Sequence, residues 1–154
     1  MHEKPEEMEI KIGQEAEVYA AAQEGKALAR RSGFKESDAA RVEIAISELA
    51  RNMLIHAGGG SIRLKFLRQQ GREGIEIQAT DKGPGIANVE LALTDGYSTS
   101  GGLGGGLPGV KRLMDEFEIK SAPGQGTTVR AVKWRKTAEN DGRSHRHQKA
   151  ERRA

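Results

Sequence analysis

The chain has 154 residues, which suits a single domain. It contains no cysteine, which excludes a disulfide framework and a thiolate metal site. The formal charge of +3 does not make a nucleic-acid binder of it, because the excess gathers in the last stretch, where Arg143, His145, Arg146, His147, Lys149, Arg152 and Arg153 cluster.

Met8 to Ile12 alternates enough for a short edge strand. Gln14 to Arg31 is alanine-rich and composed of good helix formers, and Ser32-Gly33 stops it. A second helix is expected over Glu36 to Ala57, started by Ser37-Asp38. At 100° per residue, Val42, Ala45, Ile46, Leu49 and Met53 share its core face. Glu48 and Asn52, four apart, stack at the edge of that face, with Ile44 and Ile55 beyond them. A carboxylate hemmed in by apolar residues costs several kcal/mol unless something binds or pairs with it. Ala57-Gly58-Gly59-Gly60 turns the chain into a strand from Ser61 to Gln69, in which Ile62, Leu64 and Phe66 alternate with Arg63, Lys65 and Leu67. Gln70 to Gly74 is a hairpin signal into a strand from Ile75 to Thr80. A third main helix follows a glycine-rich stretch, with Pro108 in its first turn, where a missing N–H is no loss. Phe117 to Ser121 and Thr127 to Trp134 then form a second hairpin through Pro123-Gly124-Gln125-Gly126. Strands with one polar face imply a sheet covered by helices on one side, an α/β two-layer sandwich. Aromatic residues are few, so the core is expected to be aliphatic, with Trp134 and Phe117 as local anchors. No internal repeat is apparent, and residues 136–154, polar and without periodicity, are expected to be a disordered basic tail. Nothing in the chain suggests a membrane span or a secretory signal, so a cytoplasmic protein is expected.

Two glycine-rich segments give the Glu48/Asn52 line a context. Asp81-Lys82-Gly83-Pro84-Gly85-Ile86 is a D-x-G-x-G signature at the end of a strand. Gly101 to Gly106 form a glycine loop that runs into the helix beginning at Leu107-Pro108, where exposed backbone amides can close on phosphate oxygens. Gly124-Gln125-Gly126-Thr127 is a G-x-G-T entry to the last strand. Each motif alone is weak. The alternative, that the glycines are plain turns and Glu48 is salt-bridged, would leave the shared order of four elements unexplained. That order resembles the N box and the glycine boxes of the GHKL, or Bergerat-fold, ATPases and kinases, a fold built as a mixed sheet covered on one face by helices. Gyrase and MutL couple such a unit to further domains, for which this chain has no room.

The segments Ala45 to Asn52, Gly96 to Leu103 and Leu107 to Phe117 narrow the resemblance to the RsbT-type serine/threonine switch kinases of bacterial partner-switching pathways. It covers residues 8–135 and extends to the RsbW and SpoIIAB anti-sigma-factor kinases. The resemblance implies an ATP-dependent kinase that phosphorylates a STAS-domain protein, an RsbS- or RsbR-like stressosome component. Once released, it would activate an RsbU-like phosphatase. The charge distribution and the lack of an apolar span point to no nucleic-acid and no membrane partner, although the basic tail could dock onto an acidic partner or nucleic acid, and the oligomeric state is open. Two other readings remain: an RsbW-type kinase that sequesters a sigma factor, and a non-catalytic ATP-dependent adaptor.

The resemblance also implies ATP and Mg²⁺ as ligands and assigns roles. Asn52 would be the metal residue, its neutral side-chain oxygen suiting a hard Mg²⁺ otherwise held by phosphates and waters. Asp81 would accept a hydrogen bond from the adenine amino group, Gly83 and Gly85 would allow close approach to the base, and Thr127 would supply a hydroxyl beside it. Gly102, Gly104, Gly106 and the Leu107 amide would wrap the phosphates. Glu48 would be the general base, orienting a protein hydroxyl or a water. Tyr97 to Ser100 falls where the ATP lid is carried. Arg51 could pair with Glu48 or face a partner, Lys111 and Arg112 could meet phosphate or solvent, and His56 is expected in the core or at a pocket rim. No histidine sits on a separate dimerisation helix, which argues against a histidine kinase.

Overall fold

The computed structural model describes residues 7–94 and 106–136. Their order is β1 (Glu7–Ile12), α1 (Glu15–Arg31), α2 (Glu36–Ala57), β2 (Gly60–Gln69), β3 (Arg72–Asp81), α3 (Val89–Ala92), α4 (Gly106–Leu113), β4 (Glu116–Ser121) and β5 (Thr127–Trp134). The strands lie in one sheet in the order β1-β2-β3-β5-β4. The expected two-layer sandwich is present. The sheet is not mixed, however: all four pairings are antiparallel. Alternation reports which face a residue occupies but not the direction of its neighbour strand.

One face of the sheet packs on the helices. Ile62, Leu64, Ile75, Ile77, Val129 and Ala131 meet Val18, Leu28, Val42, Ile46 and Leu49 in a continuous aliphatic core. Gly25 of α1 sits against Ile46 and Val42 of α2, where any side chain would collide with Ile46, so the two long helices close on each other. Gln70 and Gly71 both take positive φ, 53° and 78°, as a tight two-residue hairpin turn requires.

The other face is covered by its own side chains. Arg63 bridges Glu9 at 3.1 Å and Glu7 at 3.6 Å. Arg130 bonds Glu76 at 2.7 Å and Glu116 at 3.3 Å. Burial works against the charge on Arg130, but these bonds prevail and hold its proton more tightly than usual. Trp134 packs with Leu67 and Val132, lies over Gly74, and has the Arg72 guanidinium 4.0 Å from its ring centre.

At one end of the helix-facing side, Lys133 is buried and bridges Asp115 at 3.3 Å and Asp38 at 3.8 Å. This ties the start of α2 to the loop before β4. No helix among the described residues is long and apolar enough to cross a membrane.

Candidate functional site

Five elements and one turn converge on one cavity. The C-terminal half of α2 supplies Leu49, Asn52, Met53 and His56, and the ends of β3 and β5 supply Ala79, Asp81, Thr127 and Val129. The turn after β3 adds Pro84, Gly85 and Ile86, the short α3 adds Leu91 and Ala92, and α4 adds Leu107. The cavity measures about 730 Å³, within the ordinary range for small-molecule sites. Its walls are mostly aliphatic, with few polar groups.

Those polar groups are placed by local structure. Asp81 ends β3 directly opposite Thr127, the first residue of β5. Its Oδ1 accepts the Gly83 amide at 2.9 Å, which curls the chain into the glycine turn and leaves Oδ2 as an acceptor for something else. Gly85 has φ 78°, and a Cβ there would overlap the Ala122 carbonyl. Gly126 has φ 75°, and a Cβ there would overlap the Asp81 carbonyl. The β3 turn and the β4–β5 turn therefore interlock, and the Gly124 amide donates to the Pro84 carbonyl at 2.7 Å as a further tie.

Of the residues singled out from the sequence, Asn52, Asp81, Gly85, Leu107 and Thr127 line this cavity together. Gly83 stands just behind it, held by Asp81 and packed against Ala57. Gly106, buried and with φ 68°, starts α4 beside Leu107. Glu48 is 2% exposed and lies one helical turn from Asn52, but it is not among the lining residues. Its Oε2 is buried and accepts no hydrogen bond from the described residues, while the side chain is engaged in another polar interaction. Gly102, Gly104, the Tyr97 to Ser100 segment and residues 137–154 of the basic tail lie outside the described residues.

One reading is corrected and one is narrowed. Arg51 turns to Glu15 of α1, at 2.9 Å, and not to Glu48. Of the two places expected for His56, core or pocket rim, it takes the rim, where it is exposed. Lys111 and Arg112 are both exposed on α4.

Sequence reasoning missed Ser121. Its hydroxyl, at the end of β4, receives the Ile86 amide at 2.8 Å and lies 3.0 Å from the Gly126 carbonyl and 2.8 Å from the Thr127 hydroxyl. A lone serine at a strand end carries no motif. Its only signal was its place opposite Thr127 across the second hairpin.

Among the described residues no three His, Cys, Asp or Glu side chains gather closely enough to hold a metal. A divalent cation here would have to arrive with other oxygens, as Mg²⁺ does on a polyphosphate, and Asn52 is the neutral oxygen present on the cavity wall to meet it. An aliphatic slot with two acceptors at one edge fits a planar base bearing an amino group.

Comparison with known proteins places the chain in a family. A family model described as the histidine kinase-like ATPase domain matches residues 13–133. The serine/threonine-protein kinase RsbT of Bacillus subtilis is 49% identical over 125 residues, covering 81% of this chain and 94% of that protein. An anti-sigma F factor of Caldanaerobacter subterraneus subsp. tengcongensis is 34% identical over 99 residues, covering 62% and 69%. Among solved structures, full-length ShkA in complex with AMPPNP is similar in fold, with a TM-score of 0.51 at 18% identity, covering 82% of this chain and 32% of that one.

Proposed function

The chain belongs to the histidine kinase-like ATPase domain family and, within it, to the RsbT-type serine/threonine kinases; on that premise we propose that it transfers the γ-phosphoryl group of Mg-ATP to a serine or threonine of a STAS-domain partner. The observation that carries this reading is the gathering of Asn52, Asp81, Gly85, Leu107 and Thr127, five residues from separate parts of the chain, on one cavity.

In this reading Asp81 and Thr127 hold the base edge, and the aliphatic wall excludes water from its faces. The amides at the start of α4 donate to the phosphate oxygens, where the helix N-terminus favours negative charge. Bound Mg²⁺ would neutralise phosphate charge, with the Asn52 side-chain oxygen as its protein ligand. Glu48, one turn of α2 away at about 6 Å along the axis, takes the proton from the incoming hydroxyl. Phosphoryl transfer asks mainly for positioning and charge neutralisation, so one oriented carboxylate suffices as base.

The substrate is an RsbS- or RsbR-like STAS protein, and the freed kinase engages an RsbU-like phosphatase in the cytoplasm. The 49% identity to a serine/threonine kinase, against 34% to an anti-sigma factor, favours this over sigma-factor capture. The test is incubation of the purified protein with labelled Mg-ATP and the STAS-domain proteins encoded beside it. Label on a serine or threonine, absent with Glu48→Ala, supports the kinase. Tight ATP binding with no label would leave a non-catalytic adaptor, and capture of a sigma subunit in place of a phosphatase N-terminal domain would favour the anti-sigma reading.

A further inference from the structure

Asp81, Thr127 and Ser121 form a row across three neighbouring strands. Asp81 pairs with Thr127 between β3 and β5, and Thr127 pairs with Ser121 between β5 and β4. Directly opposed residues on adjacent strands point to the same face. The row therefore runs from the cavity wall to a hydroxyl just behind it.

A count of protons gives the row a direction. The Ser121 hydroxyl has one proton and two lone pairs. The Ile86 amide can only donate, so its 2.8 Å bond uses one lone pair of Ser121. The Gly126 carbonyl can only accept, so its 3.0 Å bond uses the single proton of Ser121. The contact with Thr127 at 2.8 Å is then satisfied in one way only: the Thr127 hydroxyl donates to the remaining lone pair of Ser121. The Thr127 proton is spent behind the cavity, and Thr127 offers the cavity lone pairs alone.

We propose that Ser121 is a specificity-determining positioning residue: by taking the Thr127 proton it makes Thr127 an obligate acceptor, so that the site selects a purine carrying a 6-amino donor and rejects one carrying a 6-oxo acceptor. This rests on the ATP-site reading above. Beside the Asp81 carboxylate, which also only accepts, Thr127 gives the 6-position a second acceptor, so that the two N–H bonds of a 6-amino group are both met and a 6-oxo oxygen faces lone pairs. A site built on buried hydrogen-bonding groups discriminates in this way because the wrong partner leaves them unpaired.

The experiment is equilibrium binding of ATP and of inosine triphosphate to the wild type and to Ser121→Ala, Ser121→Thr and Thr127→Val. With Ser121 removed, Thr127 regains its proton and can donate to a 6-oxo group. The preference for ATP over inosine triphosphate should fall about three- to tenfold in Ser121→Ala, the range carried by one hydrogen bond, and should be kept in Ser121→Thr. Equal loss of both nucleotides would overturn the proposal, since loosened turns alone weaken both alike. If Ser121→Ala does not fold, Thr127→Val decides: a narrowed preference supports the proposal and an unchanged one overturns it. A wild type that binds neither nucleotide would sink the ATP-site reading. The orientation is then read directly from the Thr127 hydroxyl proton by NMR, where contact with Ser121 supports the proton assignment and free rotation refutes it.

Discussion

Asp81 and Thr127 face each other as register partners at the ends of β3 and β5, and both open onto the same cavity. Asp81 has two tasks there, since one carboxylate oxygen already holds the Gly83 amide. Replacement by asparagine keeps the shape and one acceptor but turns the other oxygen into a donor. If the free oxygen meets an amino group, Asp81→Asn loses a hydrogen bond to a charged acceptor, which is worth about 1.5–3 kcal/mol. We expect ATP affinity to fall about tenfold to a hundredfold, with the fold intact by circular dichroism. Undiminished binding to a folded Asp81→Asn protein would remove this residue from the base site.

The interlocked turns make an opposite prediction, about stability. Gly124 and Gly126 share the left-handed conformation, both with φ 75°, but their surroundings differ. A side chain at Gly124 meets nothing within 4 Å, whereas one at Gly126 overlaps the Asp81 carbonyl. Gly124→Ala should cost about 1–2 kcal/mol, the strain of the conformation alone. Gly126→Ala adds overpacking against rigid backbone and should cost about 2–5 kcal/mol in all. Urea denaturation of the two variants side by side measures the gap, and equal midpoints would contradict the interlock.

How far the sequence revealed this site depends on the range of each signal. The bounds of α2 were readable because a 3.6-residue stripe runs uninterrupted between Gly33 and Gly58, and the start of β5 because it follows the turn ending at Gly126. Asn52, Asp81 and Thr127 were readable because each stands at a fixed offset from a glycine motif or from another site residue. The antiparallel direction of the β2–β3 and β4–β5 pairings was readable from their hairpin turns, but that of β1–β2 and β3–β5 was not, since alternation is the same in either direction. The short α3 was not either: it spans four residues, buries none, and is held by the Asn88 side chain capping Leu91. The Arg51–Glu15 pair joins residues 36 apart in the chain, and no local pattern signals such a contact. Ser121 belongs with these, because its role comes from three partners brought together only by the fold.

The buried Lys133 and Asp38, with the more exposed Asp115 beside them, test what holds the layers together away from the cavity. Lys133 is 4% exposed and Asp38 3%, and Asp115 is fixed in turn by the Trp134 amide at 2.7 Å. A methionine in place of Lys133 matches the volume but takes the buried cation from Asp115 and leaves Asp38 with Arg41, at 2.9 Å, alone. Removing one partner of a buried pair costs about 3–5 kcal/mol, and Lys133→Met should lose stability on that scale. Arg63→Met, on the open face where its partners Glu7 and Glu9 are exposed, should lose no more than about 1 kcal/mol. Thermal or chemical unfolding of both variants makes the comparison, and similar losses would mean that burial of the Lys133 cluster contributes nothing special.

Glu48 and Asn52 stand one turn apart on α2 and are assigned different tasks, which substitution can separate. Asn52 lines the cavity, so Asn52→Ala should weaken binding of Mg-ATP while leaving metal-free adenosine binding nearly unchanged. Glu48 stands behind the lining, 2% exposed, so Glu48→Gln should leave both affinities near wild type. Its effect should fall on phosphotransfer, reduced about 10²- to 10⁴-fold for the loss of a positioned base. Calorimetry with and without Mg²⁺, followed by single-turnover transfer to the STAS substrate, reads both arms. If Glu48→Gln instead abolished nucleotide binding while remaining folded, the carboxylate would be a ligand-binding group and the base would have to be sought elsewhere. If it transferred phosphate at the wild-type rate, positioning and charge neutralisation alone would account for the chemistry, an outcome that the loose transition state of phosphoryl transfer makes physically coherent.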